Sequence, residues 1–390
     1  MTKLNFNFYF KTYLYILFFY AAFFLFQKYN NNVEWTISEW LINYQGGFTR
    51  RGLIGELVYQ ISNPAGLTIR ETIFLFQLVT CGIYFFLIFN LLKKLNKHLI
   101  LIFAIFSPIF LIYPIAEVEV LARKEIFIFI SLLITVAIFS LEKIKNKHYI
   151  YFSFILAISC LIWEGVIIFL SYFVFILFVK NKFSFDKKFL IRILFSLLPV
   201  FVVFYFIIIF RLSSEDIKIM CNSVGECYGA MTYLNRDISS NINEVVTKFQ
   251  ITYLIRYLLI FFLGFFPLVI LITNSTFTFG KIYQNKNTVL FSFTLIFLPS
   301  ISFYYIAQDW GRWINISYVF TLITYIYCLK NKLITLNTMN MNYSILKNKY
   351  ITIILFIIFC FGWSPKTLIN EDVSSIPMYR KSLNIIKSIY

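Results

Sequence analysis

Long apolar runs alternate along the chain with short polar stretches. The runs are 6–26, 71–92, 99–115, 126–142, 189–211, 251–273, 288–306 and 313–329, with a shorter one at 351–363. At the helical rise of 1.5 Å per residue, runs of this size match a bilayer's hydrocarbon core of roughly 30 Å. A further apolar run, 149–179, is interrupted by Trp163-Glu164-Gly165. Lys143, Lys145 and Lys147 precede that run, and Lys180, Lys182, Lys187 and Lys188 follow it. Lysine marks cytoplasmic ends, so both ends belong inside and the run must cross an even number of times. Two short spans, 149–163 and 165–179, are therefore expected, each about 22 Å long, with their shared tip recessed below the outer membrane surface. One continuous helix would instead put Glu164 in mid-bilayer and invert every later segment.

These runs predict an all-α polytopic membrane protein with about eleven transmembrane helices. It is read as a single transmembrane domain over 1–390, with a recessed helical hairpin at 149–179, a cytoplasmic N-terminus and a periplasmic C-terminus. Segments 27–70 and 212–250 are then periplasmic loops. Residues 6–26 are followed by Gln27-Lys28-Tyr29-Asn30-Asn31-Asn32 and not by a small-residue cleavage site, so they read as a retained anchor.

Composition agrees with lipid as the solvent. Hydrophobic residues make up 60% of the chain, charged residues only 14%, and the mean hydropathy is +0.77, more apolar surface than a soluble core can hide. The heavy use of Phe, Tyr, Ile, Lys and Asn suits an AT-rich bacterial gene, and so a bacterial inner membrane. The formal charge of +17 does not point to nucleic acid, because the basic residues fall in short clusters between apolar runs. The excess is topological. In this threading every acid except Glu142 and Asp186 lies on the outward side, and the lysine clusters lie inside.

Cys81, Cys160, Cys328 and Cys360 lie within apolar runs and read as small apolar side chains. Cys221 and Cys227 flank Asn222-Ser223-Val224-Gly225-Glu226 in an outward loop, where an oxidising periplasm favours a local disulfide. No histidine lies near them, and neither a metal nor a cofactor is expected. The cytoplasmic loops are too short for a nucleotide-binding domain, so the energy for any chemistry must arrive in the substrate.

Four outward constellations carry candidate chemistry. The first is Gly46-Gly47-Phe48-Thr49-Arg50-Arg51-Gly52-Leu53-Ile54-Gly55-Glu56, where glycines permit close approach. Arg50 and Arg51 either fork a phosphate or carboxylate of a substrate or hold lipid headgroups or internal acids. The second, Glu117-Val118-Glu119-Val120-Leu121-Ala122-Arg123-Lys124-Glu125, packs five charges into a connector, and Arg123 and Glu125 are its favoured functional members. Glu164, at the recessed tip, is the third. It is either a general base with a pKa raised by desolvation or an ion-pair partner of an arginine such as Arg123. The fourth, Gln308-Asp309-Trp310-Gly311-Arg312-Trp313, offers an acid and an arginine that either pair with each other or share a cavity with the other clusters. The expected arrangement is one outward cavity that gathers Arg50, Arg51, Arg123, Glu164, Asp309 and Arg312, with Glu125 and Asp309 as further candidate acids.

At these residues the chain resembles the Wzy-type polymerases of O-antigen and capsular polysaccharides. Arg51-Gly52-Leu53-Ile54-Gly55 fits that family's Arg-x-x-x-Gly element in an outer loop. The family has a second such element. Here the second large loop offers only Arg211, Arg236 and Arg256 without the matching glycine, so only Arg51 takes over a substrate-binding role. The Gly-Gly-Phe-x-Arg-Arg-Gly opening is also similar to membrane glycosyltransferases of the large lipid-donor class (GT-C-like). The resemblance implies metal-independent transfer of a glycan at the periplasmic face, from an undecaprenyl-diphosphate-linked donor to a sugar hydroxyl. It further implies membrane lipids, a chain-length regulator and a flippase of the same pathway as partners, and no nucleic acid. The competing class is a transporter or flippase of lipid-linked saccharide or another anionic solute. Transporters tend to show internal repeats and charges along a path through both leaflets, and neither is visible here.

Overall fold

A computed structural model describes residues 3–31, 35–93, 95, 98–280, 285–337 and 348–368. Lys94, Lys97, Lys281 and Lys347, which the expected threading puts inside with the other lysine clusters, and the C-terminal stretch 369–390, expected in the periplasm, lie outside these residues. The protein is mostly helical. Five helices among the described residues are long and apolar enough to cross a membrane: Phe6–Asn30, Ile69–Leu92, Lys187–Ile209, Ile251–Thr273 and Asn287–Ile306. Glu125–Phe139, Asn146–Ile162, Leu170–Lys180 and Lys349–Phe361 are apolar but shorter.

The chain forms two compact units, Met1–Leu91 with Glu119–Ile238, and Leu92–Val118 with Ser239–Tyr390. The first opens with α1 (Lys3–Asn30), α2 (Trp35–Leu41), α3 (Gly52–Ser62) and α4 (Ile69–Leu92). The chain enters the second unit for α5 (Leu99–Ile105) and α6 (Tyr113–Ala116). It returns to the first for α7 (Glu125–Phe139), α8 (Asn146–Ile162), α9 (Leu170–Lys180), α10 (Lys187–Ile209) and α11 (Ser214–Val224). The second unit is completed by α12 (Ile238–Lys248), α13 (Ile251–Thr273), β1 (Ser275–Phe277), α14 (Lys286–Phe297), α15 (Phe303–Ile306), α16 (Trp310–Lys330), β2 (Ile334–Leu336) and α17 (Lys349–Phe361).

In the first unit α8 packs against α7 and α10. Without a hydrophobic drive between helices in lipid, hydroxyl contacts and ring packing supply the join. The Ser131 and Ser159 hydroxyls meet at 2.7 Å, and Phe152 packs its ring against Phe139 and Phe173. Helix α10 turns Leu194, Phe195, Leu198, Phe201 and Tyr205 outward, a surface suited to lipid. The run 149–179 breaks at Trp163, whose extended backbone ends α8 before a 3-10 turn, Glu164–Ile167. Gly165 lies flat against the Trp163 indole, where a Cβ would fall 2.3 Å from the ring. Beyond the turn α9 runs back, so that Lys180 Nζ donates to the Leu141 carbonyl at 2.7 Å, near the start of α8.

A lobe of short elements caps this unit. Helices α2 and α3, α11 and a 3-10 turn at Gly229–Tyr233 enclose Trp40, Ile42, Val58, Met220 and Met231. Cys221 and Cys227 are disulfide-bonded within it, their Cα atoms 4.9 Å apart.

In the second unit α16 is the central element, buried from Trp310 to Cys328. The expected continuous span 99–115 is not formed, since α5 ends at Ile105 and irregular turns follow through Ser107-Pro108. Proline has no N–H to continue the ladder and disfavours helical backbone before it. The break is compensated by α16 and α13. Asn315 Nδ2 donates to the Ile109 and Phe110 carbonyls at 2.9 and 3.3 Å, Tyr318 Oη to Ala104 O at 2.7 Å, and Ser107 Oγ to Gly264 O at 3.1 Å. Strands β1 and β2 form an antiparallel ribbon with Thr276 opposite Thr335.

Candidate functional site

The charged residues of the first unit meet where three connecting segments and α2 come together. Helix α2 contributes Glu39, between Ser38 and Trp40. The loop after it is folded by Glu56, which accepts the Tyr44 N–H at 3.0 Å and the Gln45 side-chain amide. That loop delivers Arg50 and Arg51 to the start of α3. Helix α3 can lie against the end of α2 only because Gly55 has no side chain, since a Cβ there would sit 1.9 Å from the Ile42 carbonyl oxygen. Arg51 adopts left-handed backbone, φ 64° and ψ 9°. Its carbonyl accepts a hydrogen bond from Lys124 Nζ. Ala122 is left-handed as well, at φ 54°, and its carbonyl accepts the Trp40 indole N–H at 2.9 Å. The connector before α7 is thus tied to α2 on one side and to the Arg51 backbone on the other.

Arg51 clamps Glu164. Its Nε lies 3.0 and 2.9 Å from the two carboxylate oxygens, and a terminal nitrogen lies 2.7 Å from Oε1. Arg50 adds a longer contact to Glu164 at 3.7 Å and donates to the Tyr233 carbonyl at 2.9 Å. Glu39 Oε1 faces Arg51 at 3.8 Å and Arg123 at 3.6 Å. Lys124 and Glu125 are buried beside these groups.

The electrostatics follow from that geometry and overturn one expectation. Burial does push the Glu164 carboxyl up, but the charge and hydrogen bonds of Arg51, with Arg50 behind them, outweigh it and hold the group at about 2. Glu164 is therefore a fixed anion and a poor base; of the two expected roles, the ion pair with an arginine is the one found, and that arginine is Arg51 and not Arg123. Glu125 moves the opposite way, raised by burial and by the negative charge of Glu39. Burial lowers the Lys124 ammonium to about 7, against the attraction of Glu39.

Arg50, Arg51, Arg123, Glu125 and Glu164 are thus brought together, whereas Asp309 and Arg312 belong to the second unit. There Arg312 pairs with Asp309 at 2.9 Å and stacks on the Trp313 ring at 4.2 Å, so the mutual pair is the arrangement found. Glu117 in the same unit meets Lys366 at 3.6 Å. Trp310 also borders an aromatic cavity of about 550 Å3, with Phe249, Tyr257, Phe261 and Tyr304 in its wall.

The sequence reading missed two members of the site, Glu39 and Lys124. Glu39 had a legible signal, a single acid inside Trp35-Thr36-Ile37-Ser38-Glu39-Trp40-Leu41, where a charge is costly unless paired. Lys124 was hidden among four other charges of the same connector.

The fold and site define a mostly helical protein with several membrane-length apolar helices and an arginine-rich polar cluster at the ends of short ones. No family model, curated protein or solved structure matches the chain.

Proposed function

We propose that the chain is a multi-pass glycosyltransferase of a bacterial inner membrane, a polymerase of lipid-linked repeat units. In this reading it is threaded about eleven times, with its N-terminus in the cytoplasm and its C-terminus and the Arg51 cluster at the periplasmic face. It moves a glycan from an undecaprenyl-diphosphate carrier to a sugar hydroxyl of another lipid-linked unit.

The observation that carries this reading is the meeting of Arg50, Arg51 and Arg123 with two carboxylates, Glu39 and Glu164. Arg51 already presents its planar fork to a carboxylate, and a diphosphate offers the same oxygen geometry with more charge. As the glycosidic C–O bond breaks, negative charge grows on the diphosphate. Arginines gathered in advance around the site stabilise that charge. The carrier supplies the activation, so neither a nucleotide nor a metal is needed in this scheme.

Gene deletion tests it. Cells without the protein should carry one repeat unit per anchor on their surface, and the wild-type gene should restore a ladder. At matched membrane levels, with the Cys221–Cys227 bond as the check of folding, Arg51→Lys should fail nearly as badly as Arg51→Ala, because lysine keeps the charge but loses the fork. A full ladder from Arg51→Ala would overturn the proposal. Accumulation of repeat units on the cytoplasmic side after deletion would identify a flippase instead.

A further inference from the structure

Transfer to a sugar hydroxyl needs a carboxylate oxygen that is free to accept a proton, and the acids of the protein differ sharply in this respect. Both oxygens of Glu164 are occupied by Arg51. Asp309 is paired with Arg312 in the second unit. Glu125 is buried, and burial with the negative charge of Glu39 disfavours its charged form. Glu39 is different. Its side chain is only 4% exposed, its Oε1 faces Arg51 and Arg123, and its Oε2 is buried with no hydrogen-bond partner among the described residues. A buried acceptor left unsatisfied costs about 1–3 kcal/mol, more for a charged group. An oxygen so placed calls for a donor, and a substrate hydroxyl is a donor that this reaction would supply.

We propose that Glu39 is the general base of the reaction and that its Oε2 accepts the proton of the acceptor hydroxyl, an assignment that rests on the glycosyl-transfer reading above. The acceptor oxygen forms its bond to the anomeric carbon of the donor while its proton passes to Oε2. The bond between that carbon and the diphosphate oxygen breaks, and its electron pair leaves on the diphosphate, where Arg50 and Arg51 face it. Arg51 contacts Glu39 and Glu164 together, so a diphosphate that draws Arg51 toward itself also uncovers Glu39. The cation left beside Glu39 is Arg123, which keeps the carboxylate oriented. Lys124, bonded to the Arg51 carbonyl, keeps the loop in place as the guanidinium moves.

The test uses the full-length protein in lipid nanodiscs, with a synthetic polyprenyl-diphosphate-linked oligosaccharide as both donor and acceptor. Glu39→Gln keeps size and hydrogen bonding but cannot take a proton. Its kcat should fall by about 100- to 10,000-fold, with the donor KM unchanged and the Cys221–Cys227 bond intact. Glu39→Ala should be equally slow, and added formate, a carboxylate small enough for the vacated space, should restore part of the rate. Wild-type kcat in Glu39→Gln overturns the assignment. So does a slow Glu39→Ala that formate leaves slow, or a raised donor KM in Glu39→Gln, since either marks a counter-ion for the arginines and not a base. Wild-type protein that leaves the donor intact overturns the glycosyl-transfer reading itself, and the role of Glu39 falls with it.

Discussion

Arg51 holds a backbone conformation that costs a side-chain-bearing residue roughly 1–2 kcal/mol, and Lys124 and Glu164 fix it from either end. The Glu164 pair is closed and largely buried, so breaking it by removing one partner should cost about 3 kcal/mol. Glu164→Gln is expected to melt earlier than wild type in detergent while still inserting. The pH dependence has a definite sign. The folded carboxyl is held at about 2, below its ordinary 4.5, so its contribution is full above 4.5 and disappears as pH falls through about 2. The gap between wild-type and Glu164→Gln melting temperatures should therefore stay constant from pH 8 to about 5 and narrow only in stronger acid. A gap that closes near neutrality would refute the clamp. At this scale the sequence pointed to Arg50, Arg51, Arg123, Glu125 and Glu164 as residue types that do not belong beside apolar runs. It could not reveal which acid meets which arginine, because Arg51 and Glu164 are 113 positions apart and their pairing depends on how the chain folds back.

Among the elements, the approach of α3 to α2 is the most tightly specified. The Gly55 Cα lies against the Ile42 and Trp40 carbonyls, and a methyl group there would sit 1.9 and 2.6 Å from their oxygens. Gly55→Ala should force the two helices apart, destabilise the lobe by about 1–3 kcal/mol and displace Arg51 one turn away. Limited proteolysis of segment 212–250 reads the loss. Gly82→Ala on α4, where the nearest atom would lie at an ordinary 3.6 Å, should leave the cleavage rate unchanged. The glycine spacing in Arg51-Gly52-Leu53-Ile54-Gly55 was visible in the sequence, and the close approach it permits is what the fold uses. The turn at Trp163-Glu164-Gly165 was legible for another reason, because lysines at both ends of 149–179 required the chain to come back. The end of α5 was missed although Ser107-Pro108 marks it, since hydropathy alone does not register a proline inside an apolar run.

For the whole molecule, the charge asymmetry makes a prediction that does not depend on any side-chain contact. Reporters fused after Lys147 and Lys188 should be cytoplasmic, and reporters within 27–70 and 212–250 periplasmic, if the reversal at Trp163 returns the chain to the side it left. A cytoplasmic reporter at 212–250 would mean that 149–179 crosses once. Membrane character was legible from composition because lipid solvation requires long uninterrupted apolar runs. The division into two units was not, because the second takes Leu92–Val118 out of the middle of the first. Helix α16 shows what such an interleaved assembly demands during synthesis. It is buried along its length and carries Arg312, Asn315, Ser317, Thr321 and Thr324 within an otherwise apolar run. Its asparagine and tyrosine bond to carbonyls of residues 104–110, which emerge from the ribosome some two hundred positions earlier. A nascent chain that has reached α16 must therefore still hold residues 104–110 within reach for these carbonyls to find their donors.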